Sequence, residues 1–331
     1  MIASPYAVVA IGNAIVDVIA DADDAFITEQ ALTKGGMTLI DAERAQSLYG
    51  AMGPGREISG GSAANTLAGL ARLGKKTAFI GQVADDQLGE VFAHDVRAGG
   101  IDFDVAPRPG QPPTARCLIL VTPDGQRTMN TFLGAAQFLP ETALDSDKIE
   151  NAEWLYLEGY LWNAPDSRAA MTTAIAMAKK AGRKVALTLS DAFVVHGHRD
   201  EFFALMDDGS LDLLFANDTE VRAMMQDDDT ASAVAALSAR VPMLVCTHGA
   251  EGAEAHRGSE HARVPAEPVE RVVDTTGAGD LFAAGVFAGL AEGRSLADCL
   301  TMGAVCAAEV ISHYGARPEK DLAELVRVRL G

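Results

Sequence analysis

An α/β fold on a mainly parallel sheet is the class this sequence predicts, and three observations carry it. Apolar runs of strand length recur as YAVVAIG, TAFIGQV, EWLYLEGYL, KVALTLS, LDLLFAN and PMLVCTHG. Their near-continuous hydrophobicity marks strands buried on both faces. Stretches with helical spacing separate them, and strands joined by helical crossovers pair in parallel.

The first run continues as VVAIGNAIVDVIAD, where period-2 alternation puts Asn13, Ile15 and Asp17 on one face and Ala14, Val16 and Val18 on the other. A carboxylate and an amide on one face suit a vicinal diol, since the carboxylate accepts two hydroxyl protons and the amide donates or accepts. An edge strand entering solvent is the alternative. In SGGSAANTLAGLARLG, paired glycines lead into a helix predicted over 62–73, with Leu67, Leu70 and Leu73 on its core side. Ser62 is a natural N-cap, and Asn65, three residues on, shares its side of the helix start. Both then face a ligand held over Gly60 and Gly61, or serve only the cap.

Helical spacing further predicts 166–181, 200–206, 219–225, 230–240 and 277–292. Two regions break the rhythm with short alternating segments, GGMTLI, ARCLILVT and QRTMNTFL, among Gly and Pro turns. They predict a small antiparallel lid from about 14–60 and 100–137, inserted in a single domain spanning 1–331, since no long linker or repeat divides the chain.

In RVVDTTGAGDLFAAGVFAGLAEG a Thr and Gly cluster runs into a helix start. The unpaired N–H groups of a first turn and the helix dipole make Gly277, Ala278 and Gly279 an anion hole, because glycines admit a close approach. Asp280 beside it has the placing of a base for an attacking hydroxyl. The alternative is that Asp280 only balances the dipole and that Gly285 and Gly289 permit close helix packing. Other nucleotide motifs fail: GLARLGKK lacks the terminal Ser or Thr and the strand-to-helix setting of a P-loop, and the first strand runs into GNAIVD rather than GxGxxG.

Composition narrows the partners. With 331 residues, 48% hydrophobic and 22% charged, the chain buries a large core. A net charge of -19, with 27 Lys and Arg against 46 Asp and Glu, opposes nucleic-acid binding. No basic n-region precedes YAVVAIG, and the longest apolar stretch, 281–291, falls short of the ~20 residues that span a bilayer, so a cytoplasmic protein without membrane contact is expected. Cys117, Cys246, Cys299 and Cys306 form no CxxC pair. His196 and His198 stand close together, but no carboxylate or cysteine completes metal-ligand spacing, which leaves surface or capping roles for the histidines.

Together, GGSAANTLAGLARLG with GQVADDQLGE, and DTTGAGDLFAAGVFAGL, resemble the paired signatures of the PfkB, or ribokinase-like, family of carbohydrate and nucleoside kinases, over nearly the whole chain. The resemblance implies a three-layer α/β/α fold with a β-sheet lid, Asp280 as base, and Gly277, Ala278 and Gly279 as anion hole. It assigns Asn13, Asp17, Gly61, Ser62 and Asn65 to the acceptor's hydroxyls. NDTE supplies Asn217 and Glu220 for Mg2+ through water, with Asn217 also beside ATP, and THGAEG supplies Thr247, Gly249 and Gly252 for ATP. GQRTMNTFLGAAQFL, TLSDAFVVHGHRDEFF and FANDTE look most like the adenosine kinase subgroup, which implies that Arg127 reaches the transferred phosphate and that Leu133 helps cover a nucleobase; Phe132 and Phe193 are further candidates there. Potassium is implied near Asp274 and Thr276 and in SHYGARP, where Arg317 departs from the pattern. The expected activity is ATP-dependent phosphorylation of a primary hydroxyl of a nucleoside, adenosine first. Ribose, fructose or 2-keto-3-deoxygluconate are the alternative acceptors, and a non-catalytic sensor is a third reading. The expected partners are ATP and a small molecule, in a monomer or homodimer.

Overall fold

Alternate residues of the same strands enter different cores, and this decides the layering. In the computed structural model, which describes residues 6–331, Val8 and Ala10 pack into one core while Val9 and Ile11 pack into a second. Leu213 and Leu214 divide the same way. The first five residues of the expected 1–331 domain lie outside the described residues.

The chain begins with β1 (Tyr6–Ile11), then makes an excursion through β2 (Ile15–Asp21), α1 (Asp24–Glu29), β3 (Met37–Leu39), α2 (Ala42–Ala51) and β4 (Arg56–Gly60). It returns through α3 (Ser62–Arg72), β5 (Thr77–Ile80), α4 (Gln87–Ala98) and β6 (Ile101–Asp102), and leaves again for β7 (Ala115–Val121) and β8 (Arg127–Phe132). Next come α5 (Ser146–Glu150), β9 (Ala152–Glu158), α6 (Pro165–Lys180), β10 (Lys184–Thr188), α7 (Ala192–Asp207), β11 (Leu213–Asn217), α8 (Asp218–Met225), α9 (Thr230–Ser238) and β12 (Met243–Thr247). The hairpin β13 (Ala253–Arg257) and β14 (Glu260–Val264) precedes α10 (Ala278–Ala291), α11 (Leu296–Val310) and α12 (Leu322–Leu330).

Among the described residues the larger sheet has nine strands in the order β14-β13-β12-β11-β10-β9-β1-β5-β6. Pairing is parallel from β12 to β6, and the β13–β14 hairpin adds an antiparallel edge. Residues of α3, α4, α10, α11 and α12 share one core, and those of α5 to α9 share the other. The ribokinase-like three-layer α/β/α class is therefore the observed one.

The smaller sheet, β3-β8-β7-β2-β4, is mixed rather than antiparallel as expected: β2–β7 and β3–β8 are parallel, β2–β4 and β7–β8 antiparallel. Its strands come from two excursions that leave the large sheet separately, so β2 and β7 run in the same sense. Val16, Val18, Leu118 and Leu120 of this sheet share a core with Ile27 of α1 and Leu48 of α2, while Ile15, Asp17, Cys117, Met129 and Thr131 face a cavity. The expected run from Asn13 to Asp17 is thus two pieces. Asn13 lies in the link after β1, and only Ile15 and Asp17 belong to β2.

Helices α4, α11 and α12 were not expected from spacing, and α7 extends well ahead of the predicted 200–206, with a break at His198. Helix α11 is apolar on nearly every side, so it has no periodic face to read. It lies so close to α10 that a Cβ on Gly285 would collide with the backbone of Met302. That glycine therefore serves close helix packing.

Candidate active site

A cavity of ≈ 720 Å³ opens where the parallel strands end. Asn13 follows β1, Glu158 ends β9, Ser190 follows β10, Asn217 ends β11 and Thr247 ends β12, and all five line it. Ligands of open α/β sheets bind at the carboxyl ends of strands because loops and helix starts converge there. The small sheet supplies Ile15, Asp17, Met37, Leu39, Met129 and Thr131 from the other side.

At one end of the cavity stands the start of α10. Its N-cap, Gly277, has φ 81, and a Cβ there would meet Ala316, so only glycine fits the turn. Gly277, Gly279 and Asp280 line the cavity, and Gly279 has open space where a side chain would stand. The amide of Ala278 instead donates to the Thr275 carbonyl at 3.2 Å, and Ala278 is not in the lining, which corrects its place in the expected anion hole. First-turn amides with no intrahelical partner, at the positive end of the dipole, remain for an anion.

The Asp280 carboxylate accepts from Ser62 Oγ at 2.6 Å and from Asn65 Nδ2 at 3.0 Å. Ser62 is not the expected N-cap of α3: Gly61 takes that position with φ 93 and no side-chain bond, which frees the Ser62 hydroxyl for Asp280. Asn65 Oδ1 is buried without a partner among the described residues, which leaves an acceptor for a ligand hydroxyl. Burial raises the Asp280 pKa, while the bonds from Ser62 and Asn65 and the Arg317 charge oppose the rise. The group is a stronger base than a surface aspartate, yet held in one orientation.

On the small-sheet side, burial pushes Asp17 up to about 6 against the pull of Arg317 and Arg127. The side-chain space above Gly60 is filled by the Asp17 carboxylate, so a larger residue there would displace it. Glu158, missed by the motif reading, is buried and accepts from Asn13 Nδ2 at 2.6 Å, Asn13 N at 3.3 Å and Ala63 N at 3.0 Å. Burial lifts its pKa to about 7. It fixes the Asn13 amide and ties β9 to the start of α3; its only sequence signal was a charge inside the apolar run EWLYLEGYL. Arg317, noted only as a departure in SHYGARP, donates to the carbonyls of Ser59 and Ala64 at 2.8–3.0 Å and to Ser59 Oγ at 3.0 Å. Its guanidinium lies under the influence of Asp17, Asp280 and Asp95. One cation thus backs both Asp17 and Asp280.

Asn217 and Glu220 line the cavity and also cap α8 reciprocally. Asn217 Oδ1 accepts from the amides of Thr219 and Glu220, and Glu220 accepts from Asn217 Nδ2 at 2.7 Å and Asn217 N at 3.1 Å. Burial raises Glu220 to about 7. Thr247 faces the cavity, whereas Gly249 and Gly252 shape the turn behind it. Gly252, at φ 99, lies against the backbone of Val264 and Pro265, where a Cβ would not fit. Leu133 lines the cavity; of the two phenylalanines Phe193 does and Phe132 does not.

Arg127 is not on the cavity wall. Its guanidinium is buried 2.5 Å from Asp274 Oδ2 and against the Tyr314 ring, rather than on the wall where contact with a phosphate was expected. A buried cation settles on the buried carboxylate nearest to it. The other acceptors of Asp274 are occupied as well, by Thr276 N and Oγ1 and by Gly315 N.

Five acids, Asp17, Glu158, Asp191, Glu220 and Asp280, therefore share one cavity with side-chain amides and a helix start. Such a site can bind a polyol, deprotonate a hydroxyl and hold a phosphate at the same time. A family model described as pfkB family carbohydrate kinase matches residues 8–322. The crystal structure of adenosine kinase from Sinorhizobium meliloti is 47% identical, with 98% of this chain and 99% of that chain covered at a TM-score of 0.91. A probable sugar kinase from Rhizobium etli CFN 42 is 44% identical, with the same coverages and a TM-score of 0.92. A fructokinase from Klebsiella pneumoniae is 29% identical over 289 residues, 81% of this chain and 92% of that protein. No helix among the described residues is long and apolar enough to cross a membrane. The chain belongs to the pfkB family of carbohydrate kinases, ATP-dependent phosphotransferases that act on a sugar or a nucleoside.

Proposed function

We propose that the acceptor is a nucleoside, adenosine first, phosphorylated on its 5′-hydroxyl to AMP. The observation that carries this reading is the apolar wall above the diol site. Met37 and Leu39, 42% and 51% exposed, face the cavity beside Ile15, Met129 and Leu133. Large aliphatic side chains left open on a cavity wall are covered by an apolar ligand surface, and a nucleobase has one where a bare sugar has little. The small sheet then acts as a lid.

In this reading Asp17 and the Asn13 amide take the ribose hydroxyls, with Asn65 Oδ1 as a further acceptor. Asp280 receives the proton of the attacking hydroxyl. The new bond joins that oxygen to the γ-phosphorus, the bond from phosphorus to the β,γ-bridging oxygen breaks, and ADP leaves. Amides at the start of α10 stabilise the charge on the transferred group. Asn217 and Glu220 fit magnesium held through water, because a buried carboxylate with a raised pKa, in a cavity of five acids, gains from a divalent cation. When bound with ATP, the metal supplies charge neutralisation at the phosphates. Potassium does not fit at Asp274, whose oxygens already accept from Thr276 and Gly315 and face the Arg127 guanidinium. No step depends on it here.

ADP release from MgATP with adenosine, inosine, ribose, fructose and 2-keto-3-deoxygluconate tests the assignment. Adenosine is expected to give a kcat/KM at least about 100-fold above any sugar, the scale of discrimination when a buried apolar contact is lost. A sugar at the head of the panel would favour the second reading, a sugar kinase, which the similarity to the probable sugar kinase and the fructokinase supports.

A further inference from the structure

Three side chains converge on one face of the β13–β14 hairpin, away from the cavity lining. His256 and His261 are direct partners across the hairpin, their rings stacked with centroids 4.4 Å apart. Both Nε2 atoms reach the same oxygen of Glu254, at 2.9 Å and 3.0 Å. Glu254 lies two residues before His256, so the pleat puts both on one face. One ligand atom from each of the three lies within 4.8 Å of the other two. We propose that Glu254, His256 and His261 form a binding site for a borderline transition-metal ion, zinc first, with a fourth position open to water.

The chemistry of the donors selects the ion. Two imidazole nitrogens and one carboxylate oxygen suit Zn2+, with Ni2+ and Cu2+ as competitors, whereas magnesium and calcium prefer all-oxygen sets. The antiparallel pair fixes the backbone of all three ligands, and the half-exposed His261 leaves an entry path. A second group of potential ligands, Asp218, Cys246 and His248, is less suited because Cys246 is fully buried.

A supporting shell already exists. The other oxygen of Glu254 is 2.9 Å from Nε2 of His248, and Nδ1 of His248 meets Asp218. Such outer bonds orient a ligand carboxylate before the metal arrives. His248 stands between Thr247 and Gly249, and Asp218 follows Asn217. Glu254 is thus shared between the outer cluster and the loop proposed above to hold ATP. A metal drawing this carboxylate outward weakens its hold on His248, so zinc is inferred to raise KM for ATP while leaving KM for the acceptor unchanged. That consequence rests on the proposed function; metal binding does not.

Full-length protein stripped by chelator dialysis would be titrated with Zn2+ by calorimetry without ATP or magnesium, and with Co2+ by visible absorption. One ion per chain is expected, with tetrahedral Co2+ bands, and the H256A/H261A double variant is expected to lose at least about 100-fold in affinity. Circular dichroism checks its fold; if the double variant does not fold, H261A alone, at a half-exposed position, carries the test. Absence of binding to the wild type, or unchanged affinity in a folded variant, would overturn the site. An unchanged KM for ATP at one equivalent of zinc, with binding intact, would overturn the coupling.

Discussion

The start of α10 and the small sheet face each other across one cavity, yet they are built in opposite ways. Asp280 and the first-turn amides belong to a helix wedged between α3 and α11, and Ser62 and Asn65 hold the carboxylate from a second helix. The small sheet packs one face on α1 and α2 and leaves Met37 and Leu39 open on the other. The difference teaches where the proposed function divides: in that reading phosphoryl transfer needs fixed groups and falls to the three-layer body, while the choice of acceptor falls to a thin sheet that can be altered without touching Asp280.

The largest effect is expected from breaking the rigid end. Asp280→Asn keeps the shape and the cavity but removes the proton acceptor, so kcat is expected to fall by about 1,000-fold. Acceptor affinity, measured by calorimetry, is expected to stay within about threefold, since uniform binding does not use the base. Loss of binding and turnover together would mean that Asp280 holds the acceptor instead.

Asp17→Asn probes the small-sheet side and is expected to separate function from stability. Removing the diol's acceptor is expected to lower kcat/KM by roughly 100-fold, the order seen when a buried polar partner is lost. The folded-state pKa of about 6 lies above the ordinary aspartate value of 3.8, so the folded protein binds the extra proton between those values. Stability from this group is present below the lower pKa and is lost as pH rises through the upper one. At pH 8 the wild type carries about 3 kcal/mol of penalty that the asparagine variant lacks. The variant is therefore expected to melt roughly 4 °C higher at pH 8 and within about 1 °C at pH 4, by scanning fluorimetry. Equal melting at both pH values would contradict a buried, destabilised carboxylate. The smallest effect is expected from the Arg127–Asp274 pair: replacing K+ by Na+ at constant ionic strength is expected to change kcat by less than about twofold, because a guanidinium already serves that carboxylate.

The same contrast governs what the sequence disclosed. DTTGAGD is one continuous segment that runs into a helix start, so the place of Gly277, Gly279 and Asp280 at one cavity was legible from local rules. The six long strands were legible too, because burial on both faces leaves a continuous apolar run. Glu158 and Arg317 were not, since each acts through residues far away in the chain: Glu158 on Asn13 and Ala63, Arg317 on Ser59 and Ala64. Ser62 was misread as a cap because its type fits one; a glycine at positive φ took that place and released the hydroxyl. The Glu254 and histidine cluster escaped spacing rules because a hairpin register, not a helical repeat, brings His256 and His261 together.

The central claim, that the body performs the transfer and the small sheet selects the acceptor, is tested most directly by the ratio of kcat/KM for adenosine to that for ribose. It would be measured in the wild type and in a M37S/L39S double variant at fixed MgATP. The ratio is expected to fall at least about tenfold in the variant, in line with the loss of two apolar contacts, while KM for ATP stays within about twofold. An unchanged ratio, or a loss that falls equally on adenosine, ribose and ATP, would contradict it.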